Sequence, residues 1–237
     1  MSLGSVGAMS TPRARQRRLS AATVARLPLY QRVVADAAHR GESVVDSVSL
    51  GTRAGVTPAT VRRDLAGLGT LGTRGTGYDV ALLGERLAEA LGHDRRCDVA
   101  IVGLGHLGHA LATSRTFLAP GAHLSALYDV DPSIVGTEVG GLVVRDLADG
   151  VDVASVAVLA VPSAAAQGVA DVVVRAGIRA LLNFAPTVLH VPPGVAVQDV
   201  DLSTELQILL YHLHHGTGPL AGGLWRDLAA EPGSPLS

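Results

Sequence analysis

The chain has 237 residues, 48% hydrophobic and 17% charged, enough apolar material for one or two packed domains. Its apolar stretches are strand-length and broken by Gly, Pro or Asp, which excludes a transmembrane span, and its single cysteine, Cys97, excludes an internal disulfide and a cysteine-cluster metal site. All 19 basic residues are arginine: residues 1–80 hold 11 against 5 acids, a net of +6, and residues 81–237 hold 8 against 16, a net of −8. A basic front joined to an acidic back is the electrostatic footprint of a module that meets a polyanion.

Residues 1–19 are small, polar and basic (Arg13, Arg15, Arg17, Arg18) and read as a disordered tail, without the apolar run of a secretory signal; the expected compartment is the cytoplasm. Ser20 caps a short helix through Arg26, and Pro28 at a first-turn position opens a longer helix to about Arg40, with Leu29, Val33, Val34 and Ala37 on one face. A short helix spans Ser49–Ala54, Gly55-Val56-Thr57 makes a tight turn, and Thr57 caps a helix from Pro58 to about Leu65. Gly67, Gly69, Gly72, Gly75 and Gly77 surround Arg74 in a loop suited to a β-wing, so residues 20–80 read as a winged helix-turn-helix. A linking helix follows over residues 81–97.

From Asp98 the pattern changes to strand–helix alternation, with strands at 98–102, 123–128, 142–144, 155–161, 180–184 and 195–200 and helices at about 106–116, 132–137 and 163–176. Residues 98–202 thus form an α/β unit, a Rossmann doubly wound parallel sheet. Ser203 caps a last helix to about His215, whose stripe of Leu206, Leu209, Leu210 and Leu213 needs an acceptor, for which a partner subunit qualifies. Residues 216–237, rich in Gly and Pro, read as a flexible tail.

Strand 98–102 leads into Gly103-Leu104-Gly105-His106-Leu107-Gly108, and Asp129 lies 21 residues beyond the third glycine at the end of the next strand. Gly103 permits the turn, Gly105 lets backbone N–H groups approach a pyrophosphate, and Gly108 lets helix and strand pack. A carboxylate at Asp129 accepts ribose hydroxyls and repels a 2′-phosphate, which favours NAD(H) over NADP(H). The alternative is a degenerate or CoA-type site. His106 and His109 read as surface or pocket-lining groups, and His212, His214 and His215 as a solvated helix-end cluster rather than a metal site. On the helix-turn-helix, Thr57, Pro58, Thr60, Arg62 and Arg63 face DNA, Arg62 suits a guanine edge in the major groove, and Arg74 suits a narrow minor groove. The alternative there is a protein-interaction module with a solvated basic face.

Several collinear blocks resemble the Rex family of redox-sensing transcriptional repressors across about residues 20–215. They are Arg26-Leu27-Pro28-Leu29-Tyr30, Val56-Thr57-Pro58-Ala59 through Val61-Arg62-Arg63-Asp64-Leu65, and Gly72-Thr73-Arg74-Gly75-Thr76-Gly77-Tyr78. Further on come Tyr128-Asp129-Val130-Asp131-Pro132, Ala160-Val161-Pro162, Asn183-Phe184-Ala185-Pro186 and Val200-Asp201-Leu202-Ser203-Thr204-Glu205-Leu206. The resemblance implies a homodimer with the last helix, 203–215, swapped onto the partner, and a winged-helix head on an inverted-repeat operator of double-stranded DNA. NADH then closes the dimer and releases the operator, and NADH and NAD+ are the expected small-molecule partners. It also implies that Val161, Pro162, Asn183 and Phe184 join the cofactor site. Arg32 pairs with Asp201 of the other subunit by the same resemblance, where the residue alone reads as a solvated helix position. The chain departs from the family at Leu68 and Leu71, where relatives carry aromatics before the wing, and at Ser114, where many carry a tyrosine near the nicotinamide. A hydride-transfer enzyme is the competing reading, but after residue 202 only one helix and a tail remain, which leaves no substrate domain; a regulator rather than an enzyme is expected.

Overall fold

The computed structural model describes residues 19–69, 72–73, 76–152 and 154–215. The chain divides after Leu91 into two units, each with its own core.

The first unit opens with α1 (Ala21–His39), followed by β1 (Val44–Val45), α2 (Ser47–Ala54), α3 (Pro58–Ala66), β2 (Gly72–Thr73), β3 (Gly77–Asp79) and α4 (Val80–Leu91). Each helix start has a chemical cause. The Ser20 hydroxyl accepts from Thr23 N at 3.1 Å, Asp46 accepts from Val48 N and Ser49 N, and Thr57 accepts from Thr60 N at 3.1 Å with Pro58 behind it. Gly55, at φ 69°, closes α2 in the left-handed region. Gly51 is fixed by contact, since a Cβ there would lie 2.6 Å from the Val56 carbonyl oxygen, so α2 and α3 approach as a tight helix-turn-helix. The strands pair antiparallel in the order β1-β3-β2, with β2 and β3 the two sides of the wing. Leu27, Tyr30, Val33, Leu50, Val61, Leu65, Leu83 and Leu87 share one core.

Two expectations fail here. Residues 21–39 form one helix with Pro28 in its interior, capped by Ser20 as expected, not two segments meeting at Pro28. Pro28 removes only its own bond to the Val24 carbonyl, on the exposed side, while Leu27, Tyr30, Val33, Val34 and Ala37 bury a continuous stripe across it. Helix α2 starts two residues before Ser49 because Asp46 is the better cap.

The second unit contains β4 (Cys97–Val102), α5 (His106–Thr113), β5 (Ala122–Asp129), β6 (Glu138–Val139), β7 (Leu142–Asp146), β8 (Val156–Leu159), α6 (Ser163–Arg175), β9 (Ala180–Asn183), β10 (Ala196–Asp199) and α7 (Leu202–His215). The sheet order is β10-β9-β8-β4-β5-β7-β6, parallel except for the antiparallel edge strand β6. The order reverses between β4 and β8, and in open parallel sheets the crevice beyond the strand ends at such a point holds ligands. Apolar layers cover both faces, one with Tyr128, Leu159, Val173 and Ile178, the other with Ile101, Leu127, Val144 and Val158.

Residues 132–137 are a turn, not the expected helix. The Asp131 carbonyl accepts from Ile134 N and Val135 N, and Gly136 at φ 85° sends the chain into the β6–β7 hairpin. Helix α7 is capped by Asp201 instead of Ser203: the Asp201 carboxylate accepts from Ser203 N at 2.9 Å and Thr204 N at 3.3 Å. Among the described residues no helix is long and apolar enough to cross a membrane.

Candidate functional site: a dinucleotide cleft and a basic recognition helix

At the C-terminal ends of β4, β5 and β8 lies a cleft of about 300 Å³ bordered by Gly103, Gly105, Asp129, Ala160, Val161 and Pro162. The three glycines of its turn have separate roles. Gly103 sits at φ 94°, and a Cβ there would come within 2.6 Å of the Ala160 carbonyl oxygen, so only glycine lets β4 turn beside β8. A Cβ on Gly108 would collide with the Gly103 carbonyl, so this glycine closes the packing of α5 on the turn. A Cβ on Gly105 would meet nothing within 4 Å. Gly105 also starts α5 with no side-chain cap, leaving first-turn N–H groups for a partner from outside. An open position beside an uncapped helix start is the cradle a pyrophosphate fills, so the residues present fit a dinucleotide.

Asp129 ends β5 and holds this turn. One carboxylate oxygen accepts from Leu104 N at 2.5 Å, and the other from Val130 N at 2.7 Å and Asp131 N at 3.0 Å. The oxygen bonded to Leu104 N keeps lone-pair capacity for a hydroxyl donor. Asp131 is held below its ordinary range, chiefly by the Ser133 hydroxyl.

The remaining expected cofactor residues do not line this cleft. The Leu104 side chain is buried in the core, and His106 and Leu107 are exposed at the start of α5. Phe184 packs against the sheet core. Asn183 is wholly buried, with its amide spent on Ala185, Thr187 and Asp199.

In the first unit, α3 turns Val61, Asp64 and Leu65 inward and leaves Arg62 and Arg63 exposed. Arg62 donates to the Ser47 hydroxyl at 2.9 Å, which steers it along the start of α2. Thr57 and Thr60 share a hydroxyl–hydroxyl bond of 2.8 Å at the exposed end of α3, beside Pro58. Arg74 lies outside the described residues, as do residues 1–18 and 216–237 of the expected tails.

Sequence reading passed over Asp64. It is 2% exposed and accepts from Thr23 Oγ1 at 3.0 Å, Tyr30 Oη at 2.8 Å, and Arg26 through Nε at 2.6 Å and Nη2 at 2.9 Å. Burial pushes its carboxyl up, but the Arg26, Tyr30 and Thr23 hydrogen bonds outweigh that and leave it below the ordinary range. Burial, then the Asp64 bond, pushes Tyr30 up to about 12. The spacing Val61, Asp64, Leu65 marks the inward face and was the available signal.

Arg32 is exposed on α1. Asp201 accepts four hydrogen bonds from Ser203 and Thr204, which hold its carboxyl down at about 2, the Ser203 hydroxyl first. The α7 residues Leu206, Leu209, Leu210 and Leu213 are all exposed. His214 and His215 donate to the carbonyls one turn back, Tyr211 stacks on His215 at 4.3 Å, and among the described residues no group of His, Cys, Asp or Glu is gathered to hold a metal.

Residues 18–66 match a family model described as "Putative DNA-binding protein N-terminus", and residues 94–187 match one described as "CoA binding domain". Proteins named redox-sensing transcriptional repressor Rex are similar along nearly the whole chain. The one from Streptomyces griseus is 45% identical over 90% of this chain and 86% of its own, and that from Rhodopirellula baltica 45% identical over 85% and 87%. The crystal structure of RSP in complex with β-NAD+ and operator DNA is 32% identical, covers 91% of this chain and 99% of its own, and superposes with a TM-score of 0.76; RSP in complex with β-NADH gives 0.73, at 84% and 95%. RSP is described as a Rex-family repressor. With this identity over this span, the chain belongs to the Rex family of redox-sensing transcriptional repressors.

Proposed function

We propose that this chain is a homodimeric cytoplasmic repressor that binds operator DNA through its winged helix and leaves it when NADH enters the cleft of the second unit. The observation that carries the reading is the pairing, in one chain, of an open glycine cradle at Gly105 and Asp129 with an exposed Arg62–Arg63 pair on a capped recognition helix. RSP, a relative with the same two units, has been captured with NAD+ on operator DNA and with NADH, which supports the same ligands here.

Gly103 and Gly105 open the cradle for the pyrophosphate, Gly108 lets α5 pack against it, Asp129 takes the ribose hydroxyls, and Val161 and Pro162 wall the far side. Bound NADH would supply a regulatory signal. The ionisable groups bordering the cleft, Asp129 and Asp131, are both engaged by main-chain or serine donors, so neither stands ready as an acid or base at a nicotinamide. Arg62 reads a base edge and Arg74 enters a narrow minor groove; Arg63, Thr57 and Thr60 contact backbone, with Pro58 fixing the start of α3.

Helix α7 exposes an apolar stripe that a second copy buries, and its swap onto that copy brings Asp201 to the partner's Arg32 in one state of the dimer. Selection from random duplex DNA tests this: an inverted repeat should be enriched, and Arg62→Ala should lose discrimination at one position of each half-site. Enrichment of no sequence, or of a single unrepeated site, overturns it.

A further inference from the structure

Asn183 is the last residue of β9, and its amide is the most heavily committed buried polar group of the second unit. Its nitrogen lies 3.1 Å from the Ala185 carbonyl, 3.0 Å from that of Thr187 and 2.8 Å from Asp199 Oδ1, and its oxygen accepts from Ala185 N at 3.1 Å. Such a group acts as a strut between the loop after β9 and the end of β10.

Two backbone bonds extend the strut in both directions. Phe184 N donates to the Leu159 carbonyl at 3.0 Å, and Leu159 is followed directly by the cleft residues Ala160 and Val161. On the other side Val200 N donates to the Asn183 carbonyl at 2.8 Å, and the next residue is Asp201, the cap of α7. The ends of β8, β9 and β10 are thereby tied in series from the cleft wall to the base of α7. Strand β10 is lightly held: it is an edge strand, pairs only with β9, and of its four side chains only Val197 is half-buried against the core. The direction in which α7 leaves the sheet therefore rests on that pairing, on the Val197 contact and on the Asn183–Asp199 bond.

We infer that the Asn183–Asp199 hydrogen bond is a positioning contact that couples the cleft to the dimerisation helix. A ligand that shifts the Ala160–Val161 wall or the Ala185–Thr187 loop moves Asn183, and Asn183 moves β10 and α7 with it. The inference deepens the proposed function and rests on the cleft taking NADH and on α7 joining the dimer.

Asp199 is exposed, so it can be changed without opening the core. Asp199→Ala removes the acceptor, whereas Asp199→Asn keeps an acceptor oxygen at the same place. The full-length proteins are compared by calorimetric NADH affinity, by the NADH concentration that half-releases operator DNA, and by thermal melting. Asp199→Ala should melt near the wild type and bind NADH within about threefold, yet need about tenfold more NADH for release, within the usual range of allosteric coupling. Asp199→Asn should restore the wild-type response. A wild-type response in Asp199→Ala, or an equal shift in both variants, overturns the proposal. A wild-type protein that binds no NADH overturns the reading of the cleft, and this inference with it.

Discussion

Arg26 and Asp64 meet in a two-point ion pair, Nε to Oδ2 at 2.6 Å and Nη2 to Oδ1 at 2.9 Å, between the first helix and the buried face of the recognition helix. Thr23, Arg26 and Tyr30 recur at three and four residues on α1, so one stripe of that helix grips one carboxylate of α3. The exposed Arg62 and Arg63 are presented outward because the next residue is locked inward.

Removing Arg26 leaves a buried carboxylate with only hydroxyl donors. Arg26→Ala should destabilise the first unit by about 3 kcal/mol, since breaking a buried pair from one side costs more than the pair contributes. Chemical denaturation followed by circular dichroism checks this; a loss under about 0.5 kcal/mol, the range of ordinary surface changes, would contradict it.

The same cluster fixes a pH profile. The carboxyl of Asp64 is lower in the folded state than its ordinary 3.8, so its contribution is present above that value and is lost as pH falls through the folded value. Tyr30 is raised from 10.0 to about 12, so its contribution is present below pH 10 and is lost between pH 10 and 12. Tyr30→Phe should remove the alkaline loss and keep the acid one in stability measurements across pH. A retained alkaline loss would assign it elsewhere.

Gly105 and Gly108 should separate under substitution by alanine. At Gly105 the new methyl meets open space, so the protein should melt normally and bind NADH more weakly. At Gly108 it meets the Gly103 carbonyl, and stability should fall by about 1–3 kcal/mol, as for overpacking. Equal melting temperatures for the two variants would contradict this division.

Asp129→Ala removes the partner of Leu104 N and the acceptor for ribose hydroxyls together. NADH affinity should drop by about 1.5–3 kcal/mol, the usual range for hydrogen bonds to a charged group. Calorimetry that finds unchanged affinity removes Asp129 from the site.

Much of this was legible because it rests on local chemistry. Thr57 with Pro58 marks a helix start wherever it occurs, and the Gly103–Gly105–Gly108 spacing before a strand ending in Asp129 carries its own geometry. What escaped depends on partners distant in sequence. Pro28 reads as a helix start until the stripe from Leu27 to Ala37 is seen buried against other helices. Asp64 stands among surface arginines and turns inward only because residues 34–41 positions earlier supply its donors. Asn183 and Asp199 are 16 residues apart and meet through strand register. The hairpin partner β6 has two residues, too few for any alternation to show.

Whether a ligand in the second unit governs DNA binding by the first is decided by fluorescence anisotropy of a labelled operator bound by the full-length protein. Titration with NADH should release the DNA, Asp129→Ala should shift release to higher NADH, and NAD+ at equal concentration should leave the complex in place. An operator complex that persists at NADH concentrations shown by calorimetry to saturate the protein would contradict the account.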